Sequence, residues 1–231
     1  QEIARNKEKD AQNEYEKAVI ARNYELPDEA VKYLNRALAL EPRHYQSLNL
    51  LGIIYLEKKN YAEAVRALEN CAAINPDFPD AHNNLGTAYL EMGLKDKALS
   101  EYLRAFSLNG NPFAAFKLAN LYFEMKEFPT ALDYIEKAVQ KSPREARVHN
   151  LKGVILNEMG RYREAIESFQ TSWSLNPADV NIGVNLGIGY MNDKQLDKAR
   201  EVFEKVLPLI TDPELKDRVA GYIKAIKEAE R

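Results

Sequence analysis

The sequence predicts an all-α chain of about six helix-turn-helix repeats, stacked on one another and closed by a C-terminal capping helix. Three observations predict it. Six alanines, Ala30, Ala64, Ala98, Ala131, Ala165 and Ala199, recur at spacings of 34, 34, 33, 34 and 34 residues. A larger apolar side chain follows each by four positions: Leu34, Leu68, Tyr102, Ile135, Phe169 and Phe203. Upstream of the alanines a second block recurs, as Leu51-Gly52-Ile53-Ile54-Tyr55, Leu85-Gly86-Thr87-Ala88-Tyr89 and Leu186-Gly187-Ile188-Gly189-Tyr190, and prolines close units at Pro42, Pro76, Pro143 and Pro177. A fixed period of about 20 to 50 residues marks a stacked-repeat architecture, because one unit cannot bury its apolar face alone.

The elements follow in order. Residues 1–10 form a charged N-terminal extension. Six repeats occupy about 11–44, 45–78, 79–111, 112–145, 146–179 and 180–213, and 214–231 form the capping helix. Apolar residues recur at three- and four-residue steps in two blocks per repeat, so each repeat is a pair of amphipathic helices. Gly52, Gly86, Gly153 and Gly187 fall inside first helices, where glycine costs roughly 1 kcal/mol against alanine. Such a cost fits positions where two helix backbones approach closely. Ala37, Cys71, Ala105, Ala138 and Ser172 are a third small position, seven residues after the marker alanines. The prolines stop the second helices. Asp212 is the expected N-cap of the final helix and Pro213 its first residue. Leu215, Val219, Tyr222, Ile223 and Ile226 form its apolar stripe, which suits a cap on the last repeat.

This pattern resembles the tetratricopeptide repeat, in its length, its Leu-Gly-x-x-Tyr block, its Ala-x-x-x-aromatic block and its closing proline. The resemblance spans about residues 11–213. It implies a right-handed α-α superhelix whose first helices line a concave face. The departures are local. The first repeat has Lys17-Ala18 in place of Leu-Gly and turns at Glu25-Leu26-Pro27. The third is one residue short, at Asn109-Gly110-Asn111, a junction expected to alter the local pitch. The sixth ends at Thr211-Asp212-Pro213.

Composition narrows the function. Lys plus Arg is 32 and Asp plus Glu is 35, a net charge of −3, which is no footprint for a nucleic-acid binder. No run of 18 apolar residues exists, so no transmembrane segment is expected. A single cysteine excludes an internal disulfide. The chain begins at Gln1 rather than methionine, which suits a trimmed chain or a processed product. The compartment stays open between the cytoplasm and, for a processed lipoprotein, the bacterial periplasm or outer membrane. Catalytic signals are missing: there is no phosphate loop, nucleophile elbow or zinc spacing. His82 and His149 stand at equivalent places 67 residues apart, His44 follows a closing proline, Cys71 replaces a packing alanine, and Trp173 flanks a packing position. All five read as structural or surface residues, and neither a catalytic site nor a metal or cofactor is expected.

The inner face carries the functional expectation. In the fourth repeat Phe113, Phe116, Asn120 and Phe123 point there in addition to an apolar packing face, so that helix is apolar nearly all round. Asn49 and Ile53 in the second repeat, Asn83, Asn84 and Thr87 in the third, Asn150 in the fifth and Asn185 in the sixth complete the candidate partner-binding groove. Asparagine offers two donors and an acceptor, which suits the backbone of an extended peptide. Glu57, Glu91, Glu124 and Glu158 form an acidic row that biases selection toward neutral or basic segments with apolar anchors. The lysine, arginine and asparagine clamp with which some tetratricopeptide proteins hold acidic tails is absent; Lys117, Asn120 and Arg147 are its nearest approach. The leading expectation is a non-enzymatic scaffold or adaptor that holds a peptide or helix of a partner. One alternative is a bacterial envelope lipoprotein resembling the type IV pilus pilotins, which assist secretin assembly. The other is the substrate-binding array of a larger enzyme, as in the O-linked N-acetylglucosamine transferases.

Overall fold

The computed structural model describes residues 2–229, with side chains from residue 5 onward. Residues 1 and 230–231 of the expected extension and cap lie outside the described residues. Thirteen α-helices follow one another, and no strand occurs among the described residues. They are α1 (Glu2–Asn23), α2 (Pro27–Leu40), α3 (Tyr45–Glu57), α4 (Tyr61–Ile74), α5 (Pro79–Glu91), α6 (Lys95–Asn109), α7 (Pro112–Glu124), α8 (Phe128–Lys141), α9 (Ala146–Glu158), α10 (Tyr162–Leu175), α11 (Val180–Asn192), α12 (Leu196–Val206) and α13 (Pro213–Ala229). The charged extension is therefore the start of α1, a helix of 22 residues. The chain divides into two compact units, one ending at Ala114 and one beginning at Ala115. In the first, α1 packs on α2, α3 on α4 and α5 on α6, and α3 also touches α5. In the second, α9 packs on α10 and α11 on α12, α9 also touches α11, and α13 lies on α12.

The marker alanines are fully buried in all six second helices, and so are Leu34, Leu68, Tyr102, Ile135 and Phe203 four residues on. The structure corrects one detail of the packing. At the mid-helix glycines it is not a second backbone that comes close but that larger side chain. A methyl group on Gly52 would lie 2.5 Å from Leu68 Cγ, one on Gly86 2.9 Å from Tyr102 Cε1, and one on Gly153 2.5 Å from Phe169 Cε1; Gly187 faces Phe203 in the same way. Four of the six first helices thus have a glycine socket, and the residue sixteen positions later fills it. Interiors packed to crystal density have no slack for an extra methyl there.

The turn inside each repeat is built identically. One residue takes a left-handed conformation: Glu25, Lys59, Gly93, Lys126, Gly160 and Lys194, with φ between 58° and 76°. Around Lys59 its own amide donates to Leu56 O at 2.9 Å and the Asn60 amide to Tyr55 O at 2.8 Å. That pair of bonds satisfies the last carbonyls of the helix. The next residue opens the second helix, and its carbonyl accepts the amide of the marker alanine in all six repeats, at 2.9–3.0 Å. Between repeats the third small residue ends the second helix, as where Asn75 N donates to Cys71 O at 2.9 Å. The third repeat closes differently. Gly110 sits at φ 62° and donates to Phe106 O at 2.7 Å, and Asn111 Oδ1 then caps α7 by accepting from Phe113 N at 2.8 Å. At the other exception, a 3-10 turn over Leu207–Leu209 precedes Asp212, whose Oδ1 accepts from Glu214 N at 3.2 Å. Leu215, Val219, Ile223 and Ile226 of α13 are buried, and Tyr222 lies 5.4 Å from the Phe203 ring, so the last helix covers its own chain.

Candidate peptide-binding faces

In the first unit the structure brings Asn49, Ile53, Asn83, Asn84 and Phe113 together around one hollow of about 330 Å³, completed by Asp80 and Asn111. Their positions follow from the repeat: Asn49 and Ile53 are one helical turn apart on α3, and Asp80, Asn83 and Asn84 stand on the first two turns of α5. Asn84 Nδ2 donates to Asn49 Oδ1 at 3.0 Å, which ties α5 to α3. Asn83 is only 5% exposed, and its buried Oδ1 has no hydrogen-bond partner. Phe113 is 45% exposed, and its ring and that of Tyr102 meet edge to face with centres 6.3 Å apart. Thr87 does not line the hollow. Its hydroxyl bonds the Tyr102 hydroxyl at 2.9 Å and donates to Asn83 O at 3.0 Å, so it is committed to the α5–α6 contact. Burial pushes the Tyr102 phenol up to about 12, so that bond holds throughout the neutral range.

The second unit holds the remaining candidates. Asn185 Nδ2 donates to Asn150 Oδ1 at 3.0 Å, and Asn192 Nδ2 to Asn157 Oδ1 at 2.8 Å, two bridges between α11 and α9. Asn120 turns back on its own helix and donates to Phe116 O at 3.0 Å. Phe116 and Phe123 are half-buried. The Arg147 guanidinium lies 6.0 Å from the Phe116 ring centre, and the Phe123 ring packs against Phe128 at 5.7 Å. Of the acidic row, Glu57 is paired with Arg22 at 2.5 Å and Glu91 accepts from the Tyr61 hydroxyl at 3.3 Å. The row is thus less negative than the sequence alone suggests.

Two lining residues, Asp80 and Asn111, were not anticipated, and neither were the bridges. A signal for the bridges stands in the sequence: Asn49/Asn84, Asn150/Asn185, Asn157/Asn192 and Arg22/Glu57 are all 35 residues apart. One repeat plus one residue is the offset at which neighbouring first helices touch. The other polar side chains have structural work. His82 donates from Nε2 to Pro76 O at 2.9 Å, His149 to Pro143 O at 2.8 Å, and the Trp173 indole to Pro177 O at 3.2 Å, so all three tie down closing turns. His82 Nδ1 also meets Glu101 Oε2 at 2.7 Å. Cys71 donates to Tyr45 O at 3.2 Å, and burial pushes its thiol up to about 12, which makes it unreactive at neutral pH. No cluster of three or more metal-ligating side chains occurs among the described residues, and none of the helices is long and apolar enough to cross a membrane.

Repeated helix pairs joined by left-handed turns, with small residues socketing a large one, define a helical-repeat protein. Tetratricopeptide-repeat family models match residues 33–66, 52–93, 79–112, 116–180 and 156–220. The chain belongs to the tetratricopeptide-repeat family. It is 29% identical over 157 residues to the chloroplast tetratricopeptide repeat domain-containing protein PYG7 of Arabidopsis thaliana, covering 61% of this chain and 51% of that one. The chain therefore spans about half the length of that relative. Among solved structures, a tetratricopeptide repeat protein of Parabacteroides merdae superposes with a TM-score of 0.73 at 20% identity, over 95% of this chain and 88% of that one. YrrB, described as having an unusual peptide-binding site, superposes with a TM-score of 0.71 at 16% identity, over 81% of this chain and 97% of its own.

Proposed function

We propose that the chain is a non-enzymatic interaction scaffold that holds an extended segment of a partner protein against its first helices. The observation that carries this is the hollow on α3 and α5, where an exposed phenylalanine and a row of asparagine amides meet on rigid helices. An aromatic anchor beside backbone-matching amides is what recognition of an extended peptide requires. YrrB, a protein of the same fold, is described as binding peptides, which supports the reading. The partner chemistry is neutral to basic with apolar anchors, since Asp80 adds negative charge where Arg22 removes that of Glu57. The pilus-lipoprotein and glycosyltransferase alternatives place the same binding face in a larger context, and the full reading frame around this chain separates them.

The test is a selection from a random peptide library on the purified chain. Peptides that bind wild type and lose binding to Phe113→Ser, while that variant melts normally, support the reading. A library that yields no Phe113-dependent binder sinks it. Turnover that survives repurification, in a broad hydrolase and transferase screen, would remove the non-enzymatic part.

A further inference from the structure

We propose that the hollow between α3 and α5 receives the guanidinium of one arginine side chain carried by the bound segment. The inference rests on the peptide-binding reading above and specifies its anchor. A volume of about 330 Å³ is at the small end of ligand sites and suits a single side chain rather than a helix face. Its lining contains one carboxylate, Asp80, and no lysine, arginine or histidine. Asp80 is exposed and has no ion-pair partner among the described residues. Two of the lining amides are engaged: Asn84 Nδ2 donates to Asn49 Oδ1, and Asn111 Oδ1 accepts from Phe113 N in capping α7. The one charge in the lining is the Asp80 carboxylate, and beside it Asn83 Oδ1 is an acceptor that the fold buries without a donor. The terminal torsion of an asparagine is broad, so the amide turns its oxygen toward an arriving donor at small cost.

A ligand group for this place must be cationic, rich in donors and able to lie on a ring. Guanidinium presents five N–H donors in a plane, pairs with a carboxylate, stacks on an aromatic face such as that of Phe113, and is weakly hydrated. An ammonium is a compact, strongly hydrated charge that cannot stack, so lysine is the poorer fit. The equivalent place in the second unit supports the assignment by contrast. One hundred and one residues on from Asp80 and Asn83 stand Asn181 and Val184, which remove both the charge and the unpaired oxygen. The hollow's two open acceptors are therefore particular to the third repeat and are not demanded by the fold.

The experiment is a backbone-amide NMR titration of the whole chain with Nα-acetyl-arginine amide, and with the lysine and citrulline counterparts. Saturable shifts at Asn84 and Phe113 are expected with arginine, weaker ones with lysine and none with citrulline, which has the shape without the charge. Asp80→Asn is expected to weaken arginine binding about five- to tenfold, the scale of one charge-assisted hydrogen bond. Asn83→Val is expected to weaken it as well while the protein melts at a higher temperature. Citrulline shifts equal to those of arginine, or an Asp80→Asn titration matching wild type, would overturn the proposal. Library peptides separate this from the parent reading. Phe113-dependent peptides that keep their affinity after arginine is replaced by citrulline refute the arginine anchor and leave the peptide face intact. If no such peptides are found, the parent reading fails and the small-molecule titration still decides the hollow.

Discussion

Asn49 and Asn84 in the first unit stand exactly where Asn150 and Asn185 stand in the second, 101 residues on, and both pairs form the same 3.0 Å bridge between neighbouring first helices. Beyond that shared bridge the two faces diverge. The second unit adds Asn157–Asn192, and its counterpart of Asn83 is the buried Val184. There four asparagines bridge in pairs, and no amide stands at the buried position. The first unit keeps a buried oxygen unpaired beside an exposed ring and an exposed carboxylate. Leaving a buried acceptor unmet costs roughly 1–3 kcal/mol. One face has an apolar residue at this place, and the other leaves a buried acceptor unmet, which is the difference the proposed arginine anchor draws on.

The largest effect that can break this contrast lies in the phenylalanines. Phe116 and Phe123 are half-buried against Arg147 and Phe128. Converting both to serine is expected to cost about 2–4 kcal/mol, below the full-burial cost of such losses, and to lower the denaturation midpoint. Phe113→Ser, at an exposed ring, is expected to stay within about 1 kcal/mol of wild type while abolishing peptide capture. Equal melting losses for the two variants would mean that the aromatic residues of both units are core.

The asparagines give the next effect, and its sign should differ between units. Asn83→Val removes a buried amide oxygen that has no donor and is expected to stabilise by about 1 kcal/mol; Asn150→Val strands Asn185 and is expected to destabilise by about 1 kcal/mol. Chemical denaturation measures both, and shifts of the same sign would erase the distinction. Smaller still, Lys59→Gly and Lys126→Gly each relieve a left-handed turn and are expected to stabilise by roughly 1 kcal/mol, alike in the two units. Calorimetry showing a gain in one unit alone would reveal a difference in their turns that the shared hydrogen bonds conceal.

The smallest effect is one of pH. His44 caps α3 by accepting the Ser47 amide on Nδ1 at 3.3 Å, and its Nε2 meets Gln12 Oε1 at 3.2 Å. Burial holds its pKa below the ordinary histidine value, against a weaker upward pull from Glu41. As pH falls through about 6.5 the unfolded chain binds the proton first, so stability is full above that value and declines below it, until the folded form also protonates. His44→Ser keeps a capping oxygen and is expected to flatten the decline. A variant profile parallel to that of wild type would assign the slope to other groups.

Much of this was legible in the residues. The period placed all six helix pairs and the cap, because packing residues recur wherever the same packing recurs. The partner of each socket was missed because alanine and glycine announce a close approach without saying whether a backbone or a side chain arrives. Thr87 was assigned to the groove from its helical spacing, but a hydroxyl one turn from Asn83 found Tyr102 across the α5–α6 contact first. The asparagines of the inner face stand out in the sequence, but the 34-residue period aligns equivalent positions, whereas side chains that touch across neighbouring first helices are 35 apart. Asp80 passed unnoticed because one carboxylate early in a helix looks like ordinary dipole compensation.

The two spacings also differ in what they permit over evolutionary time. The sixteen-residue lock between a glycine and its filler is complete inside one repeat, so a duplicated or transplanted repeat carries it along as a self-sufficient cassette. The thirty-five-residue asparagine bridge belongs to no single cassette, because each half is meaningless without the right neighbour. Shuffling repeats would preserve every lock and separate the bridging partners, so a bridge depends on which repeat stands next to which.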